Sequence, residues 1–66
     1  MSIRIVPDLP IHEYRGEGRR AEVYKLSKSN FIVRTYKNSV WQEDKELMNG
    51  ERFAENFAEN FVLGEL

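Results

Sequence analysis

The tetrapeptide Phe-Ala-Glu-Asn occurs twice in succession near the carboxyl end, beginning at Phe53 and at Phe57, and is followed by Phe61 and Val62. Four residues advance about 400° round a helix, so Phe53, Phe57 and Phe61 drift only about 40° per step and form one aromatic stripe. Ala54, Ala58 and Val62 run beside it, and Glu55, Asn56, Glu59 and Asn60 fill the remaining side. The spacing therefore predicts an amphipathic helix over residues 51–63, with Glu51 and Glu55 near its positive end and Gly64 placed to stop it. Such a helix must lay its apolar stripe on something, and the rest of the chain has to supply that platform.

Residues 21–36 supply it. Ala21-Glu22-Val23-Tyr24-Lys25-Leu26 and Phe31-Ile32-Val33-Arg34-Thr35-Tyr36 flank the polar Ser27-Lys28-Ser29-Asn30, which is the signature of a β-hairpin. Side chains alternate along a strand, so Phe31, Val33 and Thr35 share one face and Ile32, Arg34 and Tyr36 the other. The first face is the expected core. Lys37-Asn38-Ser39 has turn composition and leads into Val40–Met48, read as a third antiparallel strand that Asn49-Gly50 ends.

Before the hairpin, Pro7 and Pro10 exclude a helix interior, and residues 1–14 read as an extended arm. Ile3, Ile5, Val6, Leu9, Ile11 and Tyr14 make that arm apolar enough to pack on its own domain or on a neighbouring copy. Ile3 and Ile5 alternate with Arg4, which allows a short edge strand. Gly16 and Gly18 among the charges of residues 15–20 read as a flexible connection. The expected architecture is thus α+β: a three-stranded antiparallel β-meander packed against one C-terminal α-helix in a single domain over residues 15–66, with an extended N-terminal arm.

Sixty-six residues without cysteine give one domain, no disulfide framework and a thin stability margin, which self-association would widen. The chain is 41% hydrophobic and 32% charged with both signs mixed, a globular composition with a solvated surface. The longest apolar runs are three residues, such as Phe61-Val62-Leu63, far below the roughly 20 that cross a bilayer. No membrane segment or secretory leader is expected, and the expected location is a cytoplasm.

The net charge of −1 hides an asymmetry. Residues 15–37 carry seven bases against two acids, whereas residues 42–66 carry seven acids against two bases. Either the halves attract each other within one fold, or copies meet head to tail, or a basic face stays open for an acidic partner.

Catalytic and metal chemistry have little to draw on. A nucleophile needs an activating base, yet the one histidine, His12, lies in the arm, and Ser27, Ser29 and Ser39 fall in turns. The run Glu43-Asp44-Lys45-Glu46 reads as a solvated face. Structural zinc sites use several Cys or His ligands at short spacing, so no metal and no cofactor are expected, and the chain reads as a non-enzyme. Nucleic acid is the alternative partner: Arg19, Arg20, Lys25, Lys28, Arg34 and Lys37 lie on or beside the hairpin with tyrosines among them. Alternation breaks that patch, because Lys25 points away from Arg20 and Glu22. The reading favoured here is a protein-interaction module, self-associating, most simply as a dimer. Its candidate contact residues are Tyr14, Tyr24, Tyr36 and Trp41, types enriched at interface hot spots. Trp41 suits core or interface equally.

Ala21-Glu22-Val23-Tyr24-Lys25, Asn30-Phe31-Ile32-Val33-Arg34-Thr35-Tyr36 and Phe57-Ala58-Glu59-Asn60-Phe61-Val62-Leu63-Gly64 together resemble small uncharacterised proteins of tailed phages infecting marine cyanobacteria. The resemblance covers residues 21–66, about two-thirds of the chain. It implies a compact strand-and-helix domain and a partner-binding role inside an infected bacterium, with a host or phage protein as partner. It implies no catalytic residues.

Overall fold

The computed structural model describes residues 5–65. Four strands, β1 (His12–Gly16), β2 (Arg19–Lys25), β3 (Phe31–Lys37) and β4 (Val40–Leu47), precede one helix, α1 (Glu51–Val62). They form an antiparallel sheet in the order β1-β2-β3-β4. The α+β class and the meander hold, but the sheet has four strands where the sequence suggested three.

The additional strand is β1. It begins inside the segment read as an arm and turns the supposed flexible glycines into a hairpin, with Tyr14 opposite Ala21 and Gly16 opposite Arg19. Gly18 takes φ +70° in the two-residue turn, a conformation that costs glycine nothing sterically. Gly16 serves a different purpose: a Cβ there would lie 2.3 Å from the carbonyl oxygen of Val62, so only a bare Cα lets the end of α1 settle on β1. Of the suggested short edge strand, Ile3 and Arg4 lie outside the described residues, and Ile5 is not in a strand. Ile5 and Leu9 are 96% and 79% exposed, so these two do not pack on their own domain, whereas Tyr14 does.

Alternation sorts the sheet as expected. Ala21, Val23, Phe31, Val33 and Leu47 form the core under α1, and buried Thr35 donates its hydroxyl to the Glu43 carbonyl. Ile32 and Tyr24 are buried as well, on the opposite, outer face. The β3–β4 connection is a two-residue turn with Asn38 and Ser39 at φ 51° and 68°, the pairing of positive φ values that matches strand twist.

The helix is seated differently from the expectation. Its buried residues are Ala54, Ala58, Phe61 and Val62, so the alanine row, and not the phenylalanine stripe, is centred on the sheet. Small side chains let the helix axis approach, and the drift of about 40° per step then carries the stripe out of the contact. Phe61 is 8% exposed and Phe57 flanks the core, while Phe53 is 49% exposed. The helix stops as foreseen at Gly64, whose N–H donates to Phe61 O while the N–H of Glu65 reaches Asn60 O, the paired bonds of a Schellman end.

One irregularity decides the outer face. Thr35 pairs with Glu43 but Tyr36 pairs with Trp41, leaving Gln42 as an extra residue, a β-bulge that re-aims what precedes it. Without it Trp41 would share the helix side with Glu43. With it the indole stands on the outer face beside Tyr36.

Candidate functional site: the turn end of the outer sheet face

The outer face is built by residues of alternate parity on three strands. At its centre Arg34 on β3 donates through Nε and Nη2 to the two carboxylate oxygens of Asp44 on β4, both at 2.9 Å. The indole Nε1 of Trp41 donates to the same carboxylate at 2.9 Å. The Asp44 side chain is 1% exposed, so this is a nearly dry, fork-shaped ion pair with a third donor. The bond from Asp44 pushes the Arg34 guanidinium further toward its charged form, against the opposing effect of burial. Arg34 also lies 5.5 Å from the centre of the Tyr24 ring. Burial, followed by the hydrogen bond that Tyr24 donates to Glu22 at 2.9 Å, pushes the Tyr24 phenol up to about 12.

Toward the β1–β2 and β3–β4 turns the face changes character. Arg20 stacks on Tyr36 with its guanidinium carbon 4.0 Å from the ring centre, and its nearest acid is Glu22, 3.7 Å from Nε. That Nε is buried and makes no hydrogen bond among the described residues. Arg15 and Arg20 are directly opposite across β1 and β2, and Arg19 and Lys37 directly opposite across β2 and β3. Like charges so placed repel each other. Between the two turns lies an open cleft of about 200 Å³ lined by Arg15, Arg19, Arg20, Tyr36, Asn38 and Ser39 together with two glycines, and no acid is among its lining residues. Tyr36, one of the lining residues, is half-buried, and half-buried Trp41 stands opposite it on β4.

The structure thus gathers the sequence candidates selectively. Arg20, Tyr36 and Trp41 converge, with Arg19 and Lys37 at the same end of the sheet. Tyr24 is on the same face but buried. Arg34 is on it too, engaged by Asp44. Tyr14 is on the helix side, where its hydroxyl donates to Glu55 at 3.4 Å and its phenol is raised by burial and then by the Glu55 charge. Arg19 lies over the Phe61 ring at 5.1 Å and donates to the Phe61 carbonyl, so it anchors the helix end as well as lining the cleft. Lys25 and Lys28 are exposed at the opposite end of the hairpin, away from the cleft. Missing from the sequence reading were Arg15, Asn38 and Ser39, whose signal was present as two glycine- or asparagine-bearing turns that bring their flanking strands to one edge. No helix among the described residues is long and apolar enough to cross a membrane.

Fold and surface together define an α+β domain with a helix on one face of its sheet and a basic, aromatic-rimmed cleft at one end. The chain matches no family model, no curated protein and no solved structure.

Proposed function

We propose that the chain is a small non-enzymatic protein-interaction module that self-associates and whose binding surface is the basic cleft lined by Tyr36, with Trp41 next to Tyr36 on the neighbouring strand. The carrying observation is the placement of Arg15 directly opposite Arg20, with Arg19 beside them, in a cleft that has no acid among its lining residues. An arrangement that is unfavourable within the isolated chain becomes favourable once carboxylates enter the cleft. Tyr, Trp and Arg are the side chains that most often carry binding energy at interfaces, and here they adjoin. The partner this surface suits is an acidic protein segment. The setting, a bacterial cytoplasm with a host or phage protein as partner, rests on the resemblance in residues 21–66.

Self-association draws support from the same charges, because α1 carries Glu51, Glu55 and Glu59 and offers a second copy a complementary surface. The short charged β1 and the bulged β4, with Glu43, Asp44, Lys45 and Glu46 in sequence, disfavour pairing of backbones edge to edge. Copies are therefore expected to meet through side chains, most simply as a dimer. Nucleic acid is the second reading, favoured by the stack of Arg20 on Tyr36 beside further cations, a combination that also receives phosphate and base. It is disfavoured by Glu22, Asp44 and Glu46 on the same face.

Trp41 is the single tryptophan, so its fluorescence reports on the site directly. Titration with a glutamate-rich peptide and with a random single-stranded oligonucleotide at low salt separates the readings. Saturable quenching or enhancement by the peptide, lost in Arg15→Glu and Arg20→Glu, is the expected result. A response to the oligonucleotide alone, falling steeply with salt, replaces it with the second reading. Sedimentation equilibrium showing a monomer at every concentration removes the self-association.

A further inference from the structure

The far side of β1 carries a second cluster. His12 projects from β1 toward the first two turns of α1, where Glu51 and Glu55 are one turn apart on the helix. His12 Nε2 is 2.8 Å from Glu51 Oε2 and 3.6 Å from Glu55 Oε2, and one donor atom from each of the three residues lies within 4.8 Å of the others. All three side chains are partly exposed, so an ion from solution can reach them.

We propose that His12, Glu51 and Glu55 form a binding site for a divalent transition-metal ion of the zinc type, clamping the first strand to the helix. This goes beyond the partner-binding reading and lies on the opposite face of the sheet, where it takes up two of the three α1 acids that reading offers to a second copy. Three features carry it. Nitrogen and carboxylate donors held by one zinc ion at about 2.0 to 2.2 Å stand about 3 to 3.6 Å apart; the 3.6 Å separation from the imidazole to Glu55 matches that range, and the 2.8 Å hydrogen bond to Glu51 has to open by only a few tenths of an ångström to enter it. Two carboxylates one helical turn apart repel each other, and a divalent ion neutralises both. Finally, Tyr14 on the same strand donates its hydroxyl to Glu55 Oε1, the oxygen not facing His12, and so fixes that carboxylate as outer hydrogen bonds fix metal ligands elsewhere. An imidazole with two carboxylates suits zinc, cobalt or nickel better than magnesium or calcium, which favour all-oxygen sets. With three protein donors, the remaining coordination positions fall to water.

The test is calorimetric titration of the full chain, free of any polyhistidine tag, with Zn²⁺ and separately with Mg²⁺. One equivalent of Zn²⁺ is expected to bind, with a rise in melting temperature and no comparable response to Mg²⁺. His12→Ala and Glu55→Gln each lower the affinity at least tenfold, and Tyr14→Phe lowers it about tenfold, as outer-ligand losses do. NMR of the wild-type chain guards against misfolded variants: the His12 ring signals must move on adding one equivalent. Stoichiometric binding with unmoved His12 signals, unchanged affinity in His12→Ala, or no saturable binding at all overturns the site.

Discussion

The two faces of the sheet are buried by opposite means. Under α1, Phe31, Val33, Val23 and Ala21 meet Ala54, Ala58 and Phe61, and the free energy comes from apolar area removed from water. On the outer face, burial of Tyr24 and Ile32 is flanked by an ion pair, a phenol–carboxylate bond and guanidinium–ring stacks. The apolar side tolerates changes of shape that keep its volume. The polar side depends on partners, since a buried charge stripped of its counter-charge is costly. A small domain can thus use both sides of one sheet, but the two sides fail differently.

Removing a partner on the outer face should match a large apolar deletion on the inner one. Asp44→Ala strips the carboxylate from both Arg34 and Trp41 and is expected to cost about 3–5 kcal/mol. Phe31→Ala should cost about 3–5 kcal/mol through lost transfer and a cavity. Urea midpoints for both variants check the equality, and an Asp44→Ala effect below about 1 kcal/mol would break the comparison. The faces should then part on conservative change: Phe31→Leu stays mild, while Asp44→Asn retains the shape and still loses most of the stability that Asp44→Ala loses.

A smaller effect is expected where helix meets strand. Gly16→Ala places a methyl against the Val62 carbonyl and should destabilise by about 1–3 kcal/mol, as overpacking does. Thermal melts of Gly16→Ala beside Gly64→Ala, whose added methyl meets nothing but whose φ of +84° favours glycine, compare the steric clash with left-handed backbone strain alone.

Alkaline pH probes the outer face through Tyr24, with Tyr14 on the helix side raised as well. The Tyr24 phenol is raised to about 12 in the fold, above the ordinary value of about 10 that the unfolded chain retains. Its contribution is therefore complete below about pH 10 and is lost as the pH rises from about 10 toward 12, amounting to about 1–3 kcal/mol. Tyr24→Phe should flatten that part of the stability curve, and an unchanged slope would count against the buried phenol. The smallest effect belongs to the end of the aromatic stripe that turned away from the sheet. Phe53→Ala should change stability by less than about 1 kcal/mol, against about 3–5 kcal/mol for Phe61→Ala.

That contrast also marks what could be read from the chain beforehand. The four-residue repeat specified a helix and a common direction for its phenylalanines, but not which flank of the helix lands on the sheet, because that depends on how closely Ala54 and Ala58 let it approach. The β2–β3 hairpin and its inner face were legible because Phe31, Val33 and Thr35 alternate without interruption. β1 was not, because glycines read as flexible when the reason for Gly16 lies 46 residues further on, at Val62. The outward placement of Trp41 depends on one bulge residue, Gln42, that carries no sequence mark. The cluster of His12 with Glu51 and Glu55 was equally hidden, since its members become neighbours only through the pairing of β1 and the seating of α1. Arginines at the turn end were visible as a basic stretch, but their gathering at one edge needed the register.

The bare Cα of Gly16 beneath the Val62 carbonyl joins the first strand of the sheet to the helix that covers it. Without α1 the inner face of the meander, with Val23, Phe31 and Val33, has no cover, and exposed apolar surface of this kind makes partly folded chains prone to aggregate. Docking of the helix is then what closes the domain, and a chain cut after Asn49 should aggregate where the full chain stays in solution.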